Sequence, residues 1–279
     1  MSKKIIRKVL ICILFGVHCA LPLSAQSYQE LAERAVAYTQ QDSLAQAEAC
    51  IRQAIKLEPN NARNALLFSN LGTILRRQGR NEEALEAYNF ALHRIPLSAP
   101  VLMSRATLLL EMGRNDRARA DYSLVLDVEP NNTEALLMRA YIYAENREYA
   151  FARSDYKRLL TIDPKHYNAR LGLALLEQKD AHPSVALEQL NVMLAEYPQH
   201  ADLYIARAGV EVDMQHPESA LIDLEEAIRL APEQPESYLI RGQIYLAQKK
   251  KKTAEQDFEK AIELGIPRAE LQELLRMCR

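Results

Sequence analysis

The sequence predicts an all-α solenoid, a stack of short helical hairpins with no sheet. Three observations carry that prediction. Closing prolines stand at Pro59, Pro96, Pro130, Pro164, Pro198 and Pro232, spaced by 37 and then four times by 34 residues; a fixed period of this size marks a repeat array. Twelve residues before each proline comes an alanine (Ala47, Ala84, Ala118, Ala152, Ala186 and Ala220), and Ala254 carries the series into a seventh unit. Composition agrees: among 279 residues there are 8 Gly, no Trp and 6% aromatics against 48% hydrophobic residues, a balance that favours helix over a sheet sandwich.

Taken in order, the chain begins with a segment that reads as a signal peptide, residues 1–25. Lys3, Lys4, Arg7 and Lys8 precede an apolar run from Val9 to Leu21, too short for a full membrane span. Leu23-Ser24-Ala25 places cleavage after Ala25; an uncleaved anchor, the sole membrane contact foreseen, is the alternative. The protein is thus expected to be exported, to the periplasm or the outer membrane or out of the cell. Loss of the four basic residues changes the formal net charge from −2 to −6, which argues against nucleic-acid backbone binding. The mature chain keeps Cys50 and Cys278; lying near opposite ends of an array, they are expected to remain unpaired with each other.

The repeats run 28–61, 65–98, 99–132, 133–166, 167–200, 201–234 and 235–267. In the third, a first helix is expected from about Ala99 to Met112, a turn at Gly113-Arg114 and a second helix from Asn115 to about Asp127. Pro130 closes it, since proline cannot continue a helix, and Asn132-Thr133-Glu134 supplies caps for the next start. Three extra residues near Asn61–Asn64 lengthen the first junction or the helix after it. The fifth repeat, with Ala181-His182-Pro183 at its turn, is the least regular and is expected to be the loosest. Residues 268–279, with Leu271, Leu274 and Leu275 on one side, read as an amphipathic helix covering the last repeat.

Small residues recur in the first helices (Ala35, Gly72, Ala106, Ala140, Ala174, Ala208, Gly242) and large ones in the second (Ile51, Tyr88, Tyr122, Tyr156, Leu190, Leu224, Phe258). With the 34-residue hairpin and its closing proline, this pattern resembles the tetratricopeptide repeat family. The small residue lets two helices approach and the large one fills the gap. The resemblance implies a superhelical solenoid whose concave face, lined by first helices, binds a partner protein or peptide.

Arg105, Arg139, Arg207 and Arg241 share one repeat position, and the same repeats carry Asp121, Asp155, Asp223 and Asp257 sixteen residues later. The second and fifth repeats lack both, with Leu71 and Ala87, and Leu173 and Gln189. The first repeat breaks the rule, with Arg34 facing Cys50; elsewhere the two come and go together and are expected to form a structural ion pair, bidentate through arginine.

No phosphate loop, zinc motif or nucleophile elbow is present, so no catalytic residue, metal or cofactor is assigned. His182 and His216, each before a proline at a turn, lack a third ligand. Lys249–Lys252 read as a solvated turn. The family's groove positions fall on Met103 and Leu110, Leu137 and Tyr141, Leu171 and Leu175, Ile205, and Leu239, with Arg76 in a more polar second repeat. Such an apolar lining suits an amphipathic helix or apolar peptide, unless curvature packs these side chains onto neighbouring helices. The chain is therefore expected to be a non-enzymatic interaction scaffold of the cell envelope. The alternative is an accessory or regulatory subunit of an envelope enzyme or transport complex, held through loops or solenoid ends.

Overall fold

The computed structural model describes residues 27–279, and among them every regular element is a helix. The signal segment lies outside the described residues. The helices are α1 Tyr28–Gln40, α2 Leu44–Leu57, α3 Asn64–Arg77, α4 Asn81–Arg94, α5 Ala99–Glu111, α6 Asn115–Val128, α7 Thr133–Glu145, α8 Tyr149–Ile162, α9 Tyr167–Lys179, α10 Pro183–Glu196, α11 Ala201–Asp213, α12 Pro217–Leu230, α13 Pro235–Ala247, α14 Lys251–Glu263 and α15 Arg268–Cys278. They form seven hairpins and a final helix. The chain divides into two compact units, one ending at Ala91 and one running Leu92–Arg279.

In the first unit α1 opens with a capping box. Ser27 Oγ accepts from the Glu30 amide at 3.1 Å, and Glu30 Oε2 accepts from the Ser27 amide at 2.9 Å, so two amides left over by the helix are satisfied. The three extra residues are shared out: the 58–63 junction is longer than 129–132, and α3 starts one residue early. Buried Asn64 holds the longer junction by donating to the carbonyls of Glu58 (2.7 Å) and Pro59 (3.1 Å). A Cβ on Gly72 would lie 2.7 Å from the Tyr88 ring, so glycine there is what admits that ring.

In the second unit the core is built as the small-large pattern requires. Ala106, Ala118, Ala140, Ala152, Ala174, Ala186, Ala208, Ala220 and Ala254 are fully buried, beneath buried Tyr122, Tyr156, Leu190, Leu224 and Phe258. Tyr204 and Tyr238, early in first helices, each donate to the carbonyl of the preceding closing proline, Pro198 and Pro232, at 3.1 Å. At the same place in the fifth repeat, Arg170 instead bonds Glu196 at 2.5 and 3.2 Å. α15 lays Leu271, Leu275 and Cys278 onto Tyr238 and Phe258, removing the apolar end of the last hairpin from water. Cys50 and Cys278 are both buried free thiols.

In the fifth repeat α9 and α10 lie in looser contact than the helix pairs of the first, third, fourth, sixth and seventh repeats, as its irregular sequence leads one to expect. Arg153 on α8 forks onto Glu177 at 2.7 and 2.9 Å and reaches Asp180 at 2.6 Å, so the irregular turn is tied to the repeat before it. No helix among the described residues is long and apolar enough to cross a membrane.

Candidate functional site

Four arginine–aspartate pairs set the two helices of their repeats. Arg105 donates to Asp121 at 2.8 and 2.7 Å, Arg139 to Asp155 at 2.7 and 2.8 Å, Arg207 to Asp223 at 2.8 and 2.6 Å, and Arg241 to Asp257 at 2.9 and 2.8 Å. The aspartates are buried. These bonds raise the guanidinium pKa values of Arg139, Arg207 and Arg241 above the ordinary arginine value, against a smaller opposing effect of burial. A charged pair held this way fixes helix spacing and offers no reactive group.

With their spacing set, the first helices α7, α9, α11 and α13 touch one another in succession. Bonds at both ends of α9 hold this row: Tyr167 donates to Asp202 at 2.6 Å, Gln178 to Asp213 at 2.6 Å, and Lys179 to Glu145 at 2.8 Å. Burial and the bond to Asp202 push the Tyr167 hydroxyl pKa well up, so it stays protonated and remains a donor.

The sequence-named groove residues sit on these helices and on α5. Met103, Leu110, Leu137, Leu171, Leu175, Ile205 and Leu239 are half-buried and Tyr141 is 46% exposed. Leu171 is backed by the cluster of Ala174, Ala186 and Leu190, and Leu239 by that of Phe258 and Leu271. Each therefore packs on the core with one side and leaves the other to solvent. Arg76 is half-buried on α3 in the first unit.

The apolar row has acidic ends. Glu134, Asp202 and Glu236 lie in the first turns of α7, α11 and α13, where a carboxylate suits the helix dipole. Glu111, Glu145 and Asp213 close α5, α7 and α11, where the dipole disfavours them. Between α11 and α13 a depression of about 420 Å³ is walled by Val212, Ile240, Ile244 and Ala247. At its edge Gln248 buries an Oε1 atom with no hydrogen-bond partner, a feature that sequence pattern does not reveal.

The turn histidines go to separate partners. His216 Nδ1 lies 2.8 Å from Glu211, and His182 Nδ1 lies 3.4 Å from Glu177 and 3.7 Å from Asp180. Glu177, Asp180 and His182 are close enough to share an ion. Arg153 already bonds both carboxylates, however, and offsets one of their two negative charges. Lys249 takes a left-handed turn conformation, and Lys250 lies 5.4 Å from the centre of the Tyr245 ring.

This arrangement is that of a tetratricopeptide repeat protein, and the chain belongs to that family: its profile matches residues 32–99, 103–167 and 205–269. The structure is similar to a tetratricopeptide repeat protein from Parabacteroides merdae, 34% identical, with a TM-score of 0.80 over 91% of this chain and 99% of that one. It also resembles Pseudomonas aeruginosa PilF (17% identity, TM-score 0.59, covering 79% of this chain and 97% of that one). YrrB, described as having an unusual peptide-binding site, is 18% identical, with a TM-score of 0.56 over 72% of this chain and 97% of its own. The last two likenesses show the fold alone. No curated protein sequence matches the chain. The tetratricopeptide fold is that of protein-interaction scaffolds, and its members typically are not enzymes.

Proposed function

We propose that this protein is a non-enzymatic scaffold exported to the cell envelope, which holds a helix or extended peptide of a partner against the first-helix row of its second unit. The observation that carries the reading is the line of Leu137, Tyr141, Leu171, Leu175, Ile205 and Leu239, all part-open to water, with Leu171 and Leu239 backed by core. Apolar side chains in such a row lose water when a complementary apolar surface covers them. The acids at both helix ends add a charge preference. A partner segment with an apolar stripe flanked by lysine or arginine meets Glu134 and Glu236 on one side and Glu111 and Asp213 on the other. Export rests on the basic and apolar pattern of residues 1–25.

The test is tagged purification from cells of the wild type beside a Leu137→Asp, Leu171→Asp variant, with circular dichroism on both. Loss of a specific co-purifying protein with helicity intact supports the row as the binding face. Retention of the same protein by the variant overturns it. Fractionation of the same cells tests export: protein confined to the cytoplasmic fraction removes that part of the reading.

A further inference from the structure

We propose that the fifth repeat carries a slot for an arginine side chain of a partner polypeptide, on the second helices and independent of the first-helix row. The argument starts from the repeats that have the Arg–Asp pair. There the arginine fills the space between its own first helix, the second helix that follows and the second helix that precedes. Two of them show all three walls: Arg139, paired to Asp155 on α8, also donates to Ser123 on α6 at 3.1 Å, and Arg207, paired to Asp223 on α12, donates to Asn191 on α10 at 2.7 Å.

In the fifth repeat that arginine is Leu173 and its aspartate is Gln189. A cavity of about 440 Å³ opens in the equivalent place, walled by Leu160 of α8, Leu173 of α9, and Val185 and Val192 of α10. Val185 and Val192 are 42% and 50% exposed, so the cavity is reached from solvent. Its volume lies in the range of roughly 300–1,000 Å³ typical of ligand pockets.

The polar groups of the slot ask for a donor. Gln189 lines the cavity, and its Oε1 atom is covered without a hydrogen-bond partner, a desolvated acceptor that a small turn of its side chain would present to a donor in the slot. The exposed carboxylate of Glu188 lines the same cavity. Arg170, the cation at the edge, is already answered by Glu196. What remains is an acceptor, a negative charge and apolar walls; the α8 position equivalent to Ser123 and Asn191 is here Lys157, which is exposed and stands outside the cavity lining. A guanidinium has five donors and no acceptor, and its methylene stem packs on apolar surface. An ammonium carries the charge but lacks the fork. The residue that occupies this space in the sister repeats thus also fits it from outside.

The experiment uses the purified protein with its valine and leucine methyls carbon-13 labelled, titrated with N-acetyl-arginine methylamide and, separately, the lysine analogue. Saturable shifts of the Val185, Val192 and Leu173 methyls are expected, with the lysine analogue about tenfold weaker, the worth of one charge-assisted hydrogen bond. A Leu173→Arg, Gln189→Asp variant, which supplies the pair its sister repeats carry, is expected to stay helical and lose the response. Absence of shifts up to the solubility of the probe, equal binding of the two analogues, or shifts that survive in the folded double variant would each overturn the proposal. The first-helix row is unaltered by this variant, so a partner bound there is retained whichever way the slot test falls.

Discussion

Arg139 and Asp155 face each other across the two helices of the fourth repeat with two hydrogen bonds, 2.7 and 2.8 Å long, and only 18% and 7% of their side chains exposed. Removing the acid leaves a largely buried guanidinium with only neutral partners, Ser123 and the ring of Tyr143. Asp155→Ala is expected to cost about 3 kcal/mol in urea unfolding, whereas replacing the pair together by Met and Leu costs about 1 kcal/mol or less. A double-variant loss equal to the sum of the losses of Asp155→Leu and Arg139→Met made singly would show that the two residues do not act as a unit.

The pairing was legible because the repeat writes it four times: a sixteen-residue offset that recurs with the period is visible without coordinates. The Arg153–Glu177–Asp180 tie spans 24 and 27 residues; Arg119, one period earlier, reaches Glu148 across 29 residues instead, so the arginine recurs but its acid does not keep register. The tie is therefore not legible in the sequence. Leu173 with Gln189 was readable as a missing pair, but whether neighbours close over the gap depends on packing at that position. The half-exposure of Leu137 and Leu171 was equally out of reach, since it depends on how closely successive hairpins stack.

Each hairpin turns through a residue with positive φ. Glycine stands there at Gly79 (75°) and Gly113 (70°), but the same place is taken by Asp42, Arg147, Ala181, Gln215 and Lys249 at 57° to 63°. A side chain in this left-handed conformation costs roughly 1–2 kcal/mol, and glycine gives part of that back as chain entropy. Ala181→Gly and Gln215→Gly are each expected to stabilise by about 0.5–1 kcal/mol, and Gly113→Val to destabilise by about 1–2 kcal/mol. Thermal melts followed by circular dichroism decide this; a lower midpoint for both glycine variants would refute the argument.

Glu177 gives the stability a pH dependence with a definite sign. The hydrogen bond from Arg153 is the largest influence on its carboxyl; with the charges of Arg153 and His182, it outweighs burial and Asp180 and holds the pKa below the ordinary 4.5. The folded chain therefore binds this proton less readily than the unfolded one. Its contribution is complete above the unfolded value and fades as pH falls through the folded value. Glu177→Gln, which keeps one acceptor for Arg153 but removes the charge, is expected to cost about 1–2 kcal/mol at pH 7. Other paired carboxylates, such as Glu196 and Glu226, titrate in both proteins, and where they are distant their effects cancel in the difference. Urea unfolding of wild type and variant from pH 7 to pH 3 should show the gap closing below 4.5. A gap that persists unchanged to pH 3 would mean that the carboxylate's charge contributes nothing, and that the tie holds by packing and neutral hydrogen bonds.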